Sequence, residues 1–113
     1  MSIDVDAVGS EIAAKIIEIL AGTGRDIASY AESEGRKFAQ SAAEIARLRL
    51  LGEIDDEEAR LHIDIQKNAS RAVLMAITGI SILAAERAIN AALEIVAGAI
   101  KTATGLGFLD TSG

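Results

Sequence analysis

Apolar residues recur every three or four positions along the first half of the chain. This is the helical period, because side chains three and four residues apart lie on one face of an α-helix. The pattern predicts a first helix over about residues 4–51. Glycines at positions 22 and 24 weaken its interior and favour a kink or break at 22–24. The recurring apolar residues are Ile12, Ile16, Ile19, Leu20, Ile27, Tyr30, Phe38, Ile45 and Leu48.

Small residues also recur in this segment, at a spacing of seven. A heptad position that is always small lets the backbone of a neighbouring helix approach closely, so the spacing predicts a helix–helix contact. Chance repetition in an alanine-rich chain is the alternative interpretation. The small residues are Ala7, Ala14, Ala21, Ala28, Gly35 and Ala42.

A tight turn is predicted at residues 52–55. Gly52 follows an apolar run that contains two arginines, and glycine suits the left-handed conformation in which many helices end. Asp55 and Glu58 have the spacing of a capping box at the start of a new helix. The chain therefore reverses direction here.

A second helix is predicted over about residues 56–102, with a tail over 103–113. Two helices joined by one turn make residues 1–113 a single domain of the all-α class, a long antiparallel two-helix hairpin. In this hairpin we expect His62 to lie near Glu44 at the charged tip. Helices this long need packing along their length, since propensity alone does not stabilise them.

Residues 72–100 are apolar on nearly every face of the predicted second helix. One partner helix cannot cover such a surface, so we expect several hairpins to share it as the core of an oligomeric helical bundle. The interface between copies is predicted to contain Ala14, Ile17, Ala21, Ala28, Val73, Ile77, Ile80, Ala84, Ala88, Ala92 and Ile95.

Four polar residues interrupt this apolar region: Glu86, Arg87, Asn90 and Glu94. Polar groups in apolar surroundings must be paired, and buried polar residues in coiled coils fix register and subunit number. We predict that these four residues set the register or form salt bridges between subunits. Lining of a lumen and ordinary exposure to solvent are the other two interpretations.

Composition and charge exclude several classes of function. The chain has no cysteine, so it contains no disulfide and no zinc–thiolate site. Its formal net charge of −6, with basic residues interleaved among acids, argues against nucleic acid as a partner. The acidic N-terminus lacks the order of a signal peptide, so we expect a cytoplasmic or virion protein rather than one secreted by that route.

Residues that carry chemistry are sparse. His62 is the only histidine, and Ala59 occupies the position three residues earlier where a carboxylate-bridged metal centre needs glutamate. The acidic run over residues 55–58 lacks the calcium-loop pattern and is explained by helix capping. The sequence therefore predicts a protein that is not an enzyme and has no catalytic residue, metal or cofactor.

Three segments between residues 43 and 92 carry a resemblance to a known class of protein. They are the Leu-Gly-Glu-Ile turn at 51–54 with its acidic cap, Gln-Lys-Asn-Ala-Ser at 66–70, and Glu-Arg-Ala-Ile-Asn-Ala-Ala at 86–92. In these segments the chain resembles small all-helical accessory structural proteins of tailed bacteriophages. The resemblance implies a virion or tail component built from repeated copies, in contact with other structural proteins of the same particle.

Three functions are compatible with the sequence. The first is a structural, self-assembling helical protein of a larger particle such as a phage virion or tail. The second is a membrane-active hairpin, holin-like or pore-forming, which the charges of Lys15, Glu18, Arg25 and Asp26 oppose because they fall at the depth of the lipid. The third is a helical adaptor or chaperone that binds a partner protein.

Overall fold

The described part of the chain is helical. A computed structural model describes residues 3–21, 27–77 and 79–105. Within these ranges the helices are α1 (Val5–Leu20), α2 (Ala28–Leu50), α3 (Asp56–Ala76) and α4 (Ile82–Thr104), and there is no strand. The predicted all-α class is therefore confirmed.

The turn between α2 and α3 is built by local chemistry. Gly52 has a positive φ of 72°, which glycine adopts without steric cost. The side chain of Asp55 accepts a hydrogen bond from the backbone N–H of Glu58, whose side chain accepts one from the backbone N–H of Asp55. The capping box that the sequence predicts is thus formed, and it starts α3 at the next residue.

The first predicted helix is replaced by two shorter helices. α1 ends at Leu20, and Ile27, the residue before α2, has a non-helical backbone with φ −104° and ψ 1°. The predicted kink at 22–24 lies outside the described residues. Because α1 and α2 pack against each other rather than running on as one rod, the prediction of one helix over 4–51 is corrected.

A second interruption, which the sequence analysis does not predict, separates α3 from α4. Ile77 is extended with φ −80° and ψ 120°, and Gly79 has a positive φ of 95°. The Ser81 side chain then accepts a hydrogen bond from the backbone N–H of Ala84 and begins α4. The prediction of one helix over 56–102 is wrong, since a glycine and a good N-cap residue together make this break inexpensive.

These two breaks fold the predicted hairpin back on itself. The pairs α1–α4 and α2–α3 are those that a hairpin brings together, whereas the contacts of α1 with α2, and of α4 with α2 and α3, arise from the breaks. A continuous helix over 56–102 would be roughly 70 Å long. The longest dimension of the fold is 44 Å.

The core lies where α4 meets the other three helices. α4 buries a face at helical spacing: Ala85, Ala88, Ile89, Ala92, Val96 and Ile100. Ile12 and Ile16 of α1, Phe38 of α2 and Leu74 of α3 complete the same cluster. The expectation that only other copies could cover residues 72–100 is therefore wrong for this inner face, because the chain covers it with its own helices.

α1 and α2 cross with their backbones in close contact at two glycines. A Cβ atom placed on Gly35 would lie 2.5 Å from the carbonyl oxygen of Gly9 and 3.1 Å from the backbone nitrogen of Ala13. A Cβ atom placed on Gly9 would lie 3.5 Å from its nearest neighbour, an ordinary contact distance. Gly35 belongs to the predicted series of small residues, and here its contact lies within one chain.

Candidate functional site

The predicted interface residues fall into three groups by exposure. Ala14, Ile17, Ala21, Ala28 and Val73 are exposed, and Ile77, Ile80, Ala84 and Ile95 are half-buried. Ala88 and Ala92 have no exposed surface, because the other helices of the same chain cover them. The assignment of these two alanines to an interface between copies is therefore corrected, since a side chain inside the single-chain core cannot contact a second copy of this fold.

The four predicted polar residues of α4 do not act as one set. Glu86 Oε1 accepts a hydrogen bond of 2.7 Å from Nη2 of Arg71, which ties α4 to α3. Arg87, Asn90 and Glu94 are exposed on the outside of the single chain. The Glu86 carboxylate therefore has its partner, Arg71, within the same chain.

The outer face of α3 carries the most regular uncovered apolar surface. Five exposed residues are spaced by four, three, four and three positions, and we call them the outer stripe: Leu61, Ile65, Asn68, Ala72 and Met75. Leu61 is 56% exposed, Ile65 69% and Met75 40%. All five lie on one side of the helix, because these spacings return to the same face.

The opposite face of α3 is the one that packs against its own chain. It buries Ala59, Ile63, Ser70 and Leu74. α3 thus has two apolar faces, and only one of them is covered.

A chain of hydrogen bonds holds α3 in this orientation. The hydroxyl of Ser41 donates to the Gln66 side-chain carbonyl at 3.1 Å, and the Gln66 amide donates to the Ser70 hydroxyl at 2.9 Å. The hydroxyl of Tyr30 donates to the backbone carbonyl of Ser70 at 3.4 Å. These bonds join α2 to the inner face of α3, so the outer stripe is directed away from the molecule.

The start of α4 also carries large exposed apolar side chains. Ile82 is 61% exposed and Leu83 is 68% exposed. Val73, near the end of α3, is 43% exposed. Large exposed aliphatic side chains that cluster in this way are typical of interaction surfaces, whereas single ones are ordinary.

The outer stripe is a feature that the sequence analysis missed. Residues 56–73 contain many charged side chains, which are typical of a solvated segment. The signal was nevertheless present in the four-three spacing from Leu61 to Met75. Counting charges concealed it, since the charged residues lie on the flanks of the helix.

An open groove of about 520 Å³ lies between the start of α1 and the end of α4. Its walls include Val8, Ile95 and Ala99, together with the carboxylates of Glu11 and Glu94. Small-molecule sites are usually enclosed on most sides. The groove is open, so its shape does not favour a pocket for a small-molecule substrate.

The charged tip carries one shallow depression of about 310 Å³, lined by both Glu44 and His62. Arg47 donates hydrogen bonds to Glu44 at 2.7 and 3.3 Å, and these bonds lower the pKa of the Glu44 carboxyl. Nowhere in residues 3–21, 27–77 and 79–105 do three or more histidine or carboxylate side chains come together as a metal site would require. Glu44 acts here as the partner of a surface arginine.

No family model, no curated protein and no solved structure matches the chain. Among the helices of the described ranges, none combines the length and the apolar character needed to cross a membrane.

Proposed function

We propose that this protein is a non-enzymatic structural component that self-assembles through the uncovered apolar surface of α3 and the start of α4. The observation that carries the proposal is the outer stripe together with Ile82 and Leu83. The larger particle that we propose for it is a phage virion or tail, and this part follows from the resemblance of residues 43–92 alone.

The size of the uncovered surface favours association. Complete burial of one leucine or isoleucine side chain contributes about 1.5–3 kcal/mol. Leu61, Ile65, Ile82 and Leu83 each keep more than half of their surface exposed. In a symmetric pair every such residue is buried twice, so eight side chains contribute against the entropic cost of association.

Polar side chains within the surface favour a protein partner over lipid. Asn68 lies in the middle of the outer stripe, and Asp64 and Arg71 flank it. A charged side chain at the bilayer centre costs about 2.5–3.5 kcal/mol on insertion scales. A protein surface can instead offer hydrogen-bond partners to each of these groups.

Light scattering of the purified protein tests the proposal directly. We expect an absolute mass that is a multiple of the 11.7 kDa chain, unchanged by mild detergent. A single-chain mass at every concentration would overturn self-assembly. A protein that is monodisperse only in detergent would replace it with the membrane-active alternative.

Paired variants locate the surface. Ile65→Asp introduces a charge into the outer stripe, and we expect the mass to fall to that of one chain while the helical circular dichroism is retained. Leu51→Asp is the matched control, because Leu51 is 60% exposed but lies in the turn between α2 and α3. An equal loss of mass in both variants would contradict the assignment of the surface.

A further inference from the structure

We infer that the outer stripe binds the outer stripe of a second copy of this chain, with the two α3 helices antiparallel and in one register. The inference rests on the proposed self-assembly and specifies its surface, orientation and register. It is carried by the positions of Asp64 and Arg71 beside the stripe.

The outer stripe has the geometry of a coiled-coil seam. Alternating steps of four and three residues place successive side chains where a facing helix with the same spacing can interdigitate with them. The stripe extends over two heptads, from Leu61 to Met75, and its small member, Ala72, lets the helices approach closely. A second α3 helix has the complementary shape because it carries the same spacing.

Charge at the edges of the stripe selects the orientation. Asp64 and Arg71 lie seven residues apart and therefore on the same edge. In an antiparallel pair, the edge of the stripe that carries these two residues lies against the same edge of the second copy. Asp64 of each copy therefore faces Arg71 of the other. In a parallel pair, this edge lies against the opposite edge of the second copy, so Asp64 and Arg71 face Ala69 and Ala76 instead. Only the antiparallel pair matches opposite charges, and it does so twice.

Charge also selects the register. In the matched register Leu61 faces Ala72 of the second copy, and Ile65 faces its Asn68. A shift of one heptad in one direction places Arg71 opposite Arg71, and a shift in the other direction places Asp64 opposite Asp64. Both shifts oppose like charges, which is destabilising.

Arg71 is already positioned for this contact. Its hydrogen bond to Glu86 holds the guanidinium between α3 and α4, where the side chain remains 41% exposed. A guanidinium has five N–H donors, so a second carboxylate can bind to it while the bond to Glu86 is kept. The sequence predicts that Glu86 itself pairs between subunits. In the structure it orients Arg71, and Arg71 is the residue that pairs with the second copy.

Disulfide cross-linking tests the orientation and the register together. The chain has no cysteine, so an introduced cysteine is the only one that can react. In the double variant Leu61→Cys with Ala72→Cys, each new cysteine faces its counterpart in the second copy. Positions 61 and 72 of one chain are roughly 16 Å apart along α3. A disulfide needs Cα atoms within about 7 Å, so the bond forms only between copies.

We expect the double variant to form covalent dimers under mild oxidation and each single variant to remain uncross-linked. Rapid cross-linking of Leu61→Cys alone would indicate a parallel pair and overturn the inference. A wild-type oligomer whose double variant gives no covalent dimer would likewise overturn it while leaving self-assembly intact. A wild-type protein that is monomeric by light scattering would overturn both the antiparallel pairing and the proposed self-assembly.

A charge reversal gives a second and independent test. Asp64→Arg places arginine opposite Arg71 in both of the paired contacts, and we expect the dissociation constant to rise about tenfold. Glu32→Arg makes the same change in net charge at an exposed position on α2 and serves as the control. Equal dissociation constants for the two variants would contradict the antiparallel register.

Discussion

Gly35 is the residue at which the smallest change in size has the largest structural consequence. A methyl group there would meet the backbone of Gly9 and Ala13 on α1, and backbone atoms cannot move aside as a flexible side chain can. Gly9 faces the same crossing from the other helix, with room for a methyl group. The two glycines therefore have opposite expected responses to one substitution.

We expect Gly35→Ala to lower the free energy of unfolding by about 1–3 kcal/mol, the usual cost of overpacking. Gly9→Ala is the matched variant, and we expect it to be neutral or to raise stability by up to about 1 kcal/mol, because alanine favours the helix. Denaturant unfolding followed by circular dichroism measures both. Equal effects of the two substitutions would show that the helices do not cross as described.

Tyr30 makes the stability of the fold depend on pH in the alkaline range. Burial raises the pKa of its hydroxyl above the usual range, and the negative charge of Glu34 raises it further. An unfolded chain releases this proton near pH 10, whereas the native chain retains it. The native state then binds more protons, so its stability is fully present below about pH 10 and falls as pH rises above that value.

We expect the free energy of unfolding to decrease as pH rises from about 10 to about 12. Tyr30→Phe removes the titrating group, and we expect this variant to lose less stability over the same interval. Tyr30 is the only tyrosine, so tyrosinate absorbance in the wild-type protein reports it alone. Tyrosinate that formed in the native protein with an ordinary midpoint near pH 10 would contradict the raised pKa.

At the scale of the elements, helix ends are determined more locally than helix contacts. Asp4, Asp55 and Ser81 each accept a hydrogen bond from a backbone N–H of the helix that follows. These bonds form between residues three apart and depend little on the rest of the fold. The capping box at Asp55 was accordingly predictable from residue types and spacing.

We expect Asp55→Ala to lower the free energy of unfolding by about 1 kcal/mol, because α3 loses its N-cap acceptor. Asp55→Asn keeps a side-chain oxygen at this position and provides the control, with an expected change of less than about 0.5 kcal/mol. Thermal unfolding followed by circular dichroism compares the two. An alanine variant as stable as the asparagine variant would mean that the cap does not contribute.

α3 illustrates the limit of reasoning from one helix. Its sequence contains both the inner series from Ala59 to Leu74 and the outer stripe from Leu61 to Met75. Each is compatible with the helical period, so periodicity alone does not tell which face the chain covers. The contacts with α2 and α4 decide it, together with the hydrogen bonds through Gln66 and Ser70.

At the scale of the whole molecule, α4 is the helix around which the others pack. Its alanines at 85, 88 and 92 are fully buried within one chain. Ala88 and Ala92, together with Ala84, are predicted from the sequence to contact a second copy, because small residues favour close helix packing in either case. The two interpretations differ in how stability should depend on protein concentration.

We expect Ala88→Leu to lower the free energy of unfolding by about 1–3 kcal/mol through overpacking, by the same amount at low and high protein concentration. Ala14→Leu enlarges an exposed alanine on α1 and serves as the control. Denaturant unfolding at two protein concentrations makes the comparison. A loss for Ala88→Leu that grows on dilution would instead place this residue between copies.

The sequence by itself determined the class of the fold, the turn at Gly52 and the start of α3. These depend on helical periodicity, on left-handed glycine and on capping bonds between near neighbours. It also contained the four-three spacing of the outer stripe, although the flanking charges concealed that pattern.

Only the tertiary structure decided that the chain folds back on itself at two breaks, and thus which apolar residues it covers. The free energy of a break is local and small, whereas packing α1 on α2 and α4 on the other three helices depends on residues far apart in the chain. Ala88 and Ile65 are both apolar and both lie on helices, yet one is buried and the other exposed. That difference follows from the direction in which each helix is packed, and no single segment of the sequence specifies it.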